Sequence, residues 1–316
     1  MSLFLGIDTS NYTTSTAIYD FDNNQVVQSK RLLPIKDGEL GIRQSDAVFH
    51  HVMQLPKLYS ELIGKIPCGY CPSDFTAVGV SIRPRSVEGS YMPCFNVGEA
   101  FANVIASTLN VPLFTFSHQE GHIAAALYSA KRLELLNEKF LAFHVSGGTT
   151  EAMLVTPDNE LIIKAELVAH TLDLNAGQAV DRIGLMLGLC FPCGKELENL
   201  ALKFDENIKV IPTLKGNDCC LSGVENICKK MLENGESKEK IAKFCLLYIE
   251  KTLEKMCENL LVQFGDMPVL FAGGVMSNVI VRKSFTEKFE GIFAEPEFST
   301  DNAAGISVLA KIAHNK

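Results

Sequence analysis

The chain has 316 residues, 47% of them hydrophobic and 21% charged, with a net charge of −8. That length suits two domains better than one core, the composition is that of a soluble globule, and the acidic balance excludes a wholly basic nucleic-acid-binding domain. No apolar run reaches the roughly 18 residues a membrane span needs, and Met1-Ser2-Leu3-Phe4-Leu5-Gly6-Ile7-Asp8 meets an acid where an export leader carries basic residues, so a cytoplasmic location is expected.

In chain order, Leu3 to Ile7 and Thr13 to Tyr19 read as strands around the polar turn Thr9-Ser10-Asn11-Tyr12, with a third strand over Gln25 to Leu32. Helical spacing follows over Asp46 to Leu62, a short apolar strand over Ala77 to Ser81, and helices over Val97 to Leu109 and His118 to Ser129. The opening unit then recurs: Phe140 to Val145, the turn Ser146-Gly147-Gly148-Thr149-Thr150, Ala152 to Val155, and Leu161 to Ala165. Helices over Gly177 to Leu187 and Lys238 to Phe264 and a strand over Val269 to Phe271 complete the reading. This recurrence predicts duplicated three-strand units, each followed by helices, with a division near Val111-Pro112 into residues 1–111 and 112–316.

Ten cysteines in a chain of this size are expected as reduced thiols. Two C-x-x-C pairs, Cys68/Cys71 and Cys190/Cys193, stand too far apart for a compact zinc ribbon, and free thiols are the preferred account. Lys229, Lys230, Lys238, Lys240 and Lys243 form either a local basic patch or, more simply, a solvated helical face.

Three glycine- or hydroxyl-rich turns can aim backbone N–H groups at an anion. Two are the recurring turns; glycine at 147 and 148 lets backbone approach a phosphate with no Cβ in between. The third is Phe271-Ala272-Gly273-Gly274-Val275-Met276-Ser277-Asn278, where Asn278 offers an amide to a nucleotide or, equally, caps a helix. In His118-Gln119-Glu120-Gly121-His122 the histidines stand at i and i+4 on one helix face and can share a metal. Gln119 occupies the place of the zincin glutamate, so a peptidase reading lacks its general base. Asp301 is a candidate third ligand, with helix capping as its alternative. Asp173 and Asp181 flank a helix entrance, where either can hold a ribose hydroxyl or serve in capping. His144, His170, His50 and His51 have no partners of comparable spacing and read as core or surface residues.

Taken together and in order, these pieces resemble the TsaD/Gcp family, once labelled O-sialoglycoprotein endopeptidases. Leu5 to Ser10 resembles its G-I-E-T-S, His118 to His122 its H-x-E-G-H, and Val145 to Gly148 its V-S-G-G. Asp173 to Asp181 follows its D-x-x-A-G-x-A-x-D and Phe191 to Gly194 its Y-P-G-G. Ala272 to Asn278 follows its A-G-G-V-x-x-N and Ser299 to Asn302 its C/S-T-D-N. The resemblance spans nearly the whole chain. It implies an α/β, actin-like ATPase fold of two duplicated lobes with a nucleotide and metal site between them. The implied metal, iron or zinc, is held by His118, His122 and Asp301. The implied adenylate site, for ATP or an acyl-adenylate, comprises His144, Val145, Ser146, Gly147, Gly148, Asp181, Gly194 and Asn278. The implied activity is transfer of a threonylcarbamoyl group from its adenylate to a tRNA adenosine, with partner proteins of that pathway or a dimer mate.

Departures from the family pattern concentrate on the reaction surface. Asn11-Tyr12-Thr13-Thr14 replaces C-D-E-T and so lacks two carboxylates; Arg83-Pro84-Arg85 replaces G-P-G; Thr149 stands for a histidine and Cys193 for a glycine. These changes suggest a divergent paralogue. Two alternatives therefore accompany the first reading: a carbamoyl-adenylate-dependent transferase acting on a small molecule, and a non-catalytic nucleotide-binding regulatory partner.

Overall fold

The computed structural model describes residues 2–10, 12–34, 42–66, 70–300 and 302–316. The chain forms two compact units. The first comprises Met1–Glu138, Thr156–Ala165 and Glu297–Lys316; the second comprises Lys139–Val155 and Glu166–Pro296. The first unit thus runs past Val111-Pro112, where the sequence suggested a division, as far as Glu138. The reason is β5 (Leu113–Ser117), which joins the sheet of the first unit and carries the next helix with it. The C-terminal helix also returns to that unit, a long-range step that local patterning does not encode.

In the first unit, β1 (Leu3–Ser10), β2 (Thr13–Asp20), β3 (Gln25–Leu32), β4 (Phe75–Arg83) and β5 form one sheet in the order β3-β2-β1-β4-β5. β1 and β2 pair antiparallel from Leu3↔Asp20 to Ser10↔Thr13, whereas β1, β4 and β5 run parallel. Helices α1 (Gln44–Ile63) and α2 (Phe95–Leu109) pack on the sheet, as do α3 (His118–Ser129) and α9 (Ala304–His314), which also pack on each other. β1 is buried at every position, which explains why its residues are apolar or small and do not alternate with exposed polar ones. Leu5 and Ile7 join Val78, Val80, Leu55 and Ile105 in an apolar core. Between them Gly6 lies against α9, and a Cβ there would stand 2.5 Å from the Ala303 carbonyl oxygen.

The second unit repeats this plan. β6 (Phe140–Val145), β7 (Thr150–Asp158), β8 (Ile162–His170), β11 (Val269–Ala272) and β12 (Ile292–Phe293) belong to a sheet ordered β12-β11-β6-β7-β8. Replacing β1 to β5 by β6, β7, β8, β11 and β12 converts one order into the other, and the pairing directions match: β6 with β7 antiparallel, β11 with β6 and with β12 parallel. The duplication inferred from the turns is therefore a property of the whole sheet. A two-stranded ribbon, β9 (Leu214–Lys215) with β10 (Asp218–Cys219), and helices α4 (Ala176–Met186), α5 (Gly194–Ala201), α6 (Ser222–Glu233), α7 (Lys238–Phe264) and α8 (Val279–Phe289) complete it. Phe143, Phe271, Phe285 and Phe293 form its aromatic centre, with ring centroids 4.9–5.3 Å apart. Among the described residues no helix is long and apolar enough to cross a membrane.

Candidate functional site

In the first unit, chemistry gathers at the carboxyl ends of the parallel strands, the edge where α/β sheets bind ligands. Asp8, near the end of β1, is fully buried. Its Oδ1 accepts a hydrogen bond from the Ser81 hydroxyl of β4, and its Oδ2 lies 3.0 Å from His118 Nδ1. A carboxylate can only accept there, so Nδ1 carries the proton and His118 Nε2 presents its lone pair. His122 Nε2 faces that nitrogen at 2.9 Å.

The rest of the H-x-E-G-H segment builds the helix. Ser117 caps α3: its N–H donates to Glu120 Oε2 at 2.6 Å and its hydroxyl accepts from Glu120 N–H at 3.2 Å, a reciprocal capping box. Burial pushes the Glu120 carboxyl up, opposed by hydrogen bonds from Ser117 and Ser86 and by the Arg83 charge. Gly121 and Gly305 let α3 and α9 touch backbone to backbone, because a Cβ on Gly305 would run into the Gly121 carbonyl oxygen. The motif's glutamate and glycine are thus structural, and its two histidines are what remain for chemistry.

The donor set fits a divalent ion. Two imidazole nitrogens at about 2.0–2.1 Å from one ion and at roughly a right angle would stand about 2.9 Å apart, and a carboxylate holding the far ring nitrogen is the usual support of a metal-binding histidine. The third expected ligand, Asp301, lies outside the described residues, and among those described no group of three or more His, Cys, Asp or Glu converges on a metal site. The start of α9 is capped by Asn302, whose Oδ1 accepts from Ala304 N–H at 3.0 Å. Cys68 also lies outside the described residues; Cys71, Cys190 and Cys193 are free thiols.

In the second unit, Gly147, Asp181, Gly194 and Asn278, all expected at one site, line one cavity of about 430 Å³ with Gly177, Pro192, Lys195, Glu198, Leu246 and Gly274. The β6–β7 turn is locked by Ser146 N–H to Thr149 O at 2.7 Å, and Gly177 N–H of α4 donates to Ser146 O at 3.1 Å. Gly177 is required there, since a Cβ would stand 2.6 Å from Gly147 N. At Gly147 and Gly274, by contrast, a Cβ would meet nothing within 4 Å, and at Gly194 only Val180 Cγ1 at 3.9 Å. None of these three has a positive φ. Packing and backbone conformation therefore leave the absence of side chains around this cavity unexplained.

Gly148 sits beside Gly147, exposed and equally open. His144 lies on β6 opposite Glu151, and Val145 is core, so only its backbone is accessible. Asp181 Oδ1 accepts from Cys193 N–H at 2.9 Å, which ties α4 to the start of α5. Burial and the Asp181 carboxylate push the Cys193 thiol up. Asn278 caps α8, its Oδ1 accepting from Ile280 and Val281 N–H at 3.0 and 3.3 Å, which leaves its amide NH₂ toward the cavity it lines. Asp173 is structural. Burial works to raise it, but bonds from Ser222, Leu221 and Leu174 hold its carboxyl below the usual carboxylate range.

Sequence reading missed Glu198, a buried carboxylate on the cavity wall that accepts from Val279 N–H at 2.8 Å and pairs with Lys195 at 2.7 Å. Its one signal was an acid between Leu197 and Ala201 on the inward face of a short helix. It also gave no role to Asp8 and read His51 as core or surface. His51 is core, fully buried and bonded to Thr14 Oγ1 at 2.8 Å.

A family model described as tRNA N6-adenosine threonylcarbamoyltransferase matches residues 26–308. The chain belongs to the TsaD family. A tRNA N6-adenosine threonylcarbamoyltransferase of Methanopyrus kandleri is 26% identical over 298 residues, 93% of this chain and 82% of that protein. Among solved structures, HypF of T. kodakarensis superposes with a TM-score of 0.61 at 14% identity, over 99% of this chain and 47% of that one. Component A of the Acidaminococcus fermentans (R)-2-hydroxyglutaryl-CoA dehydratase gives 0.54 at 15% identity, covering both chains completely. A ROK family glucokinase of Streptomyces griseus, in complex with glucose and AMPPNP, gives 0.52 at 10% identity with the same coverage. These likenesses show the fold: two mixed α/β units of the actin-like ATPase class.

Proposed function

We propose that this TsaD-family chain binds an adenine nucleotide or acyl-adenylate in the cavity of its second unit and serves as a carbamoyl-class transferase. The observation that carries the reading is the ring of side-chain-free positions Gly147, Gly194 and Gly274, which nothing in the fold requires. Among the described residues the N–H groups of Gly147 and Gly148 are not used by the chain, so they are available to phosphate oxygens. Asp181 and the Asn278 amide supply an acceptor and a donor for the sugar, and Glu198 adds a second buried carboxylate.

His118 and His122 would hold the divalent ion, iron or zinc, with Asp8 fixing the first ring. When bound, such an ion supplies Lewis acidity toward a carbonyl oxygen. In the transfer itself the acceptor amine forms a C–N bond to the carbamoyl carbon, the C–O bond to phosphate breaks, AMP leaves, and the amine must lose a proton. In the family pattern two carboxylates follow T-S. Here Asn11 lies outside the described residues, Tyr12 is exposed and Thr13 buried. Neither ordinary tyrosine nor threonine is an anion at neutral pH, and loss of a positioned base costs about 10²–10⁴ in rate. Transfer to tRNA is therefore expected to be weak.

The same replacement favours a second reading, transfer of a carbamoyl-type group to a small molecule carrying its own base. The test is purified chain with threonylcarbamoyl-adenylate and unmodified tRNA, scored by mass spectrometry for modified nucleoside. Turnover comparable to an ordinary family member would show those carboxylates to be dispensable. In parallel, Asp181→Ala should abolish calorimetric binding of the adenylate; retained binding would remove the cavity assignment.

A further inference from the structure

Arg83 ends β4, the middle of the three parallel strands of the first unit, between the strand that carries Asp8 and the strand that leads into His118. A bulge immediately precedes it: Ser81 opposes Phe116 but Arg83 opposes Ser117, so two residues of β4 advance against one of β5. Such a bulge re-aims the side chain that follows it. Ser81 therefore faces Asp8, while Arg83 is freed from simple alternation and stands level with the residue before His118.

The guanidinium there is incompletely used. Among the described residues its Nε is buried with no hydrogen-bond partner and it forms no ion pair with a carboxylate. The acid that senses its charge is Glu120, 2% exposed. Glu120 Oε2 is taken by Ser117 N–H and the Ser86 hydroxyl, and its Oε1 is buried without a partner among the described residues. The half-buried guanidinium and the buried carboxyl thus lie within electrostatic range and do not bond. A fixed cation whose planar fork is not taken up by any described residue, on the ligand edge of a sheet and beside two facing histidines, is built for an incoming oxyanion.

We propose that Arg83 is a specificity-determining residue that takes the carboxylate of the transferred acyl arm or a phosphate oxygen of the acceptor, held near His118 and His122. The inference rests on the transferase reading above and gives it a chemical preference: an anionic group on the transferred acyl arm or on the acceptor.

Calorimetry on the full chain tests this with threonylcarbamoyl-adenylate, which carries a carboxylate, carbamoyl-adenylate, which lacks it, and inorganic phosphate. Each is titrated into wild type, Arg83→Ala and Arg83→Lys, after melting curves confirm folding. Hydrogen bonds to charged groups correspond to about 10- to 100-fold in affinity. A carboxylate source predicts that Arg83→Ala weakens the first adenylate by that factor and the second by less than about 2-fold. An acceptor-phosphate source predicts both adenylates unchanged and phosphate weakened. Arg83→Lys should recover part of the loss in either case. Equal losses for both adenylates, or no loss with any probe, would overturn the proposal. Wild type that binds neither adenylate yet binds phosphate through Arg83 would remove the transferase reading and leave the oxyanion site standing. Wild type that binds none of the three would remove both.

Discussion

The two units share one sheet topology and put their hairpin turns to opposite uses. In the first, the β1–β2 hairpin is a buried polar core: Asp8, Thr9, Ser10, Thr13, Thr14, Ser15 and Thr16 are all sequestered, with Asp8 bonded inward to Ser81 and His118 and Thr14 to His51 and Gln54. In the second, the β6–β7 turn is exposed at Gly147 and Gly148 and has no side chains there to bond with. One turn holds side chains in place; the other withholds them. Glycine divides by place in the fold. Gly6, Gly79, Gly98, Gly121 and Gly305 of the first unit, like Gly177 and Gly273 of the second, are needed for close packing, whereas Gly147, Gly194 and Gly274 line the second unit's cavity and pack against almost nothing. After duplication, the first turn has become scaffold for a histidine pair and the second has kept its backbone open.

If that contrast is right, substitutions should separate the packing glycines from those around the cavity. Gly305→Ala would drive a methyl into the Gly121 carbonyl oxygen of α3. Overpacking against backbone, which cannot rotate away, should cost more than about 3 kcal/mol, read as a drop in the urea midpoint. An unchanged midpoint would mean that α3 and α9 separate easily and that the histidine pair is not rigidly held.

Nearly as large is the expected pH effect of His51. Burial lowers its pKa to about 4, against the opposing pull of Asp8, and its Nε2 is buried without a hydrogen-bond partner among the described residues. A histidine with a lowered folded pKa binds its proton first in the unfolded chain, so stability is full above about pH 6.5 and falls as pH drops from there toward about 4. The shift corresponds to about 3 kcal/mol across that window. His51→Gln, which can still bond Thr14, should flatten the curve between pH 7 and pH 4.5. A wild-type curve already flat there would mean that His51 stays charged when folded.

In the second unit the prediction reverses. Gly147→Val or Gly148→Val meets open space, so the urea midpoint should move by less than about 1 kcal/mol, while adenylate affinity should fall about 10- to 100-fold through loss of phosphate access. Stability lost together with affinity would put these glycines in the packing class of Gly305. Normal affinity in a stable variant would remove the phosphate-turn argument.

The features legible in advance were those with dense local pattern. The strands of both hairpins, α3 and α7 follow from periodicity and capping, and the recurrence of strand, turn, strand and strand announced the duplication. Three things were not local. The unit boundary depends on β5 and α9 joining a distant sheet. Glu198 looks like any surface glutamate until Val279 N–H and Lys195 are folded against it. At Asn278 both readings hold at once, since its oxygen caps α8 while the residue lines the cavity. Composition also left open whether the lysines around 229–243 form a patch; Lys240 pairs with Glu236 at 2.8 Å, and Lys229, Lys230 and Lys238 are exposed, as on a solvated face.

The smallest expected effect tests how far the buried hairpin serves the histidines. Each candidate site has an aspartate: Asp8 has both oxygens committed to Ser81 and His118, and Asp181 has one committed to Cys193 N–H. Asp8→Asn keeps the shape and removes the charge. Its amide can present oxygen to His118 Nδ1–H and preserve the ring, or turn its NH₂ toward Nδ1 and shift the ring proton to Nε2, which abolishes the donor facing His122. Supporting carboxylates of this kind are worth about 10- to 100-fold in metal affinity. Because one amide orientation preserves the ring, Asp8→Asn should sit at the lower end, about 10-fold, measured by competition with a chelator. His118→Ala, which removes the donor outright, should lose most bound metal with the fold retained, and Asp181→Asn should leave metal affinity untouched while weakening the adenylate. Metal content unchanged in His118→Ala would discard the pair as ligands. Unchanged affinity in Asp8→Asn alone would reduce the Asp8–His118 contact to packing, and the first unit's buried turn would then have no measurable tie to its site.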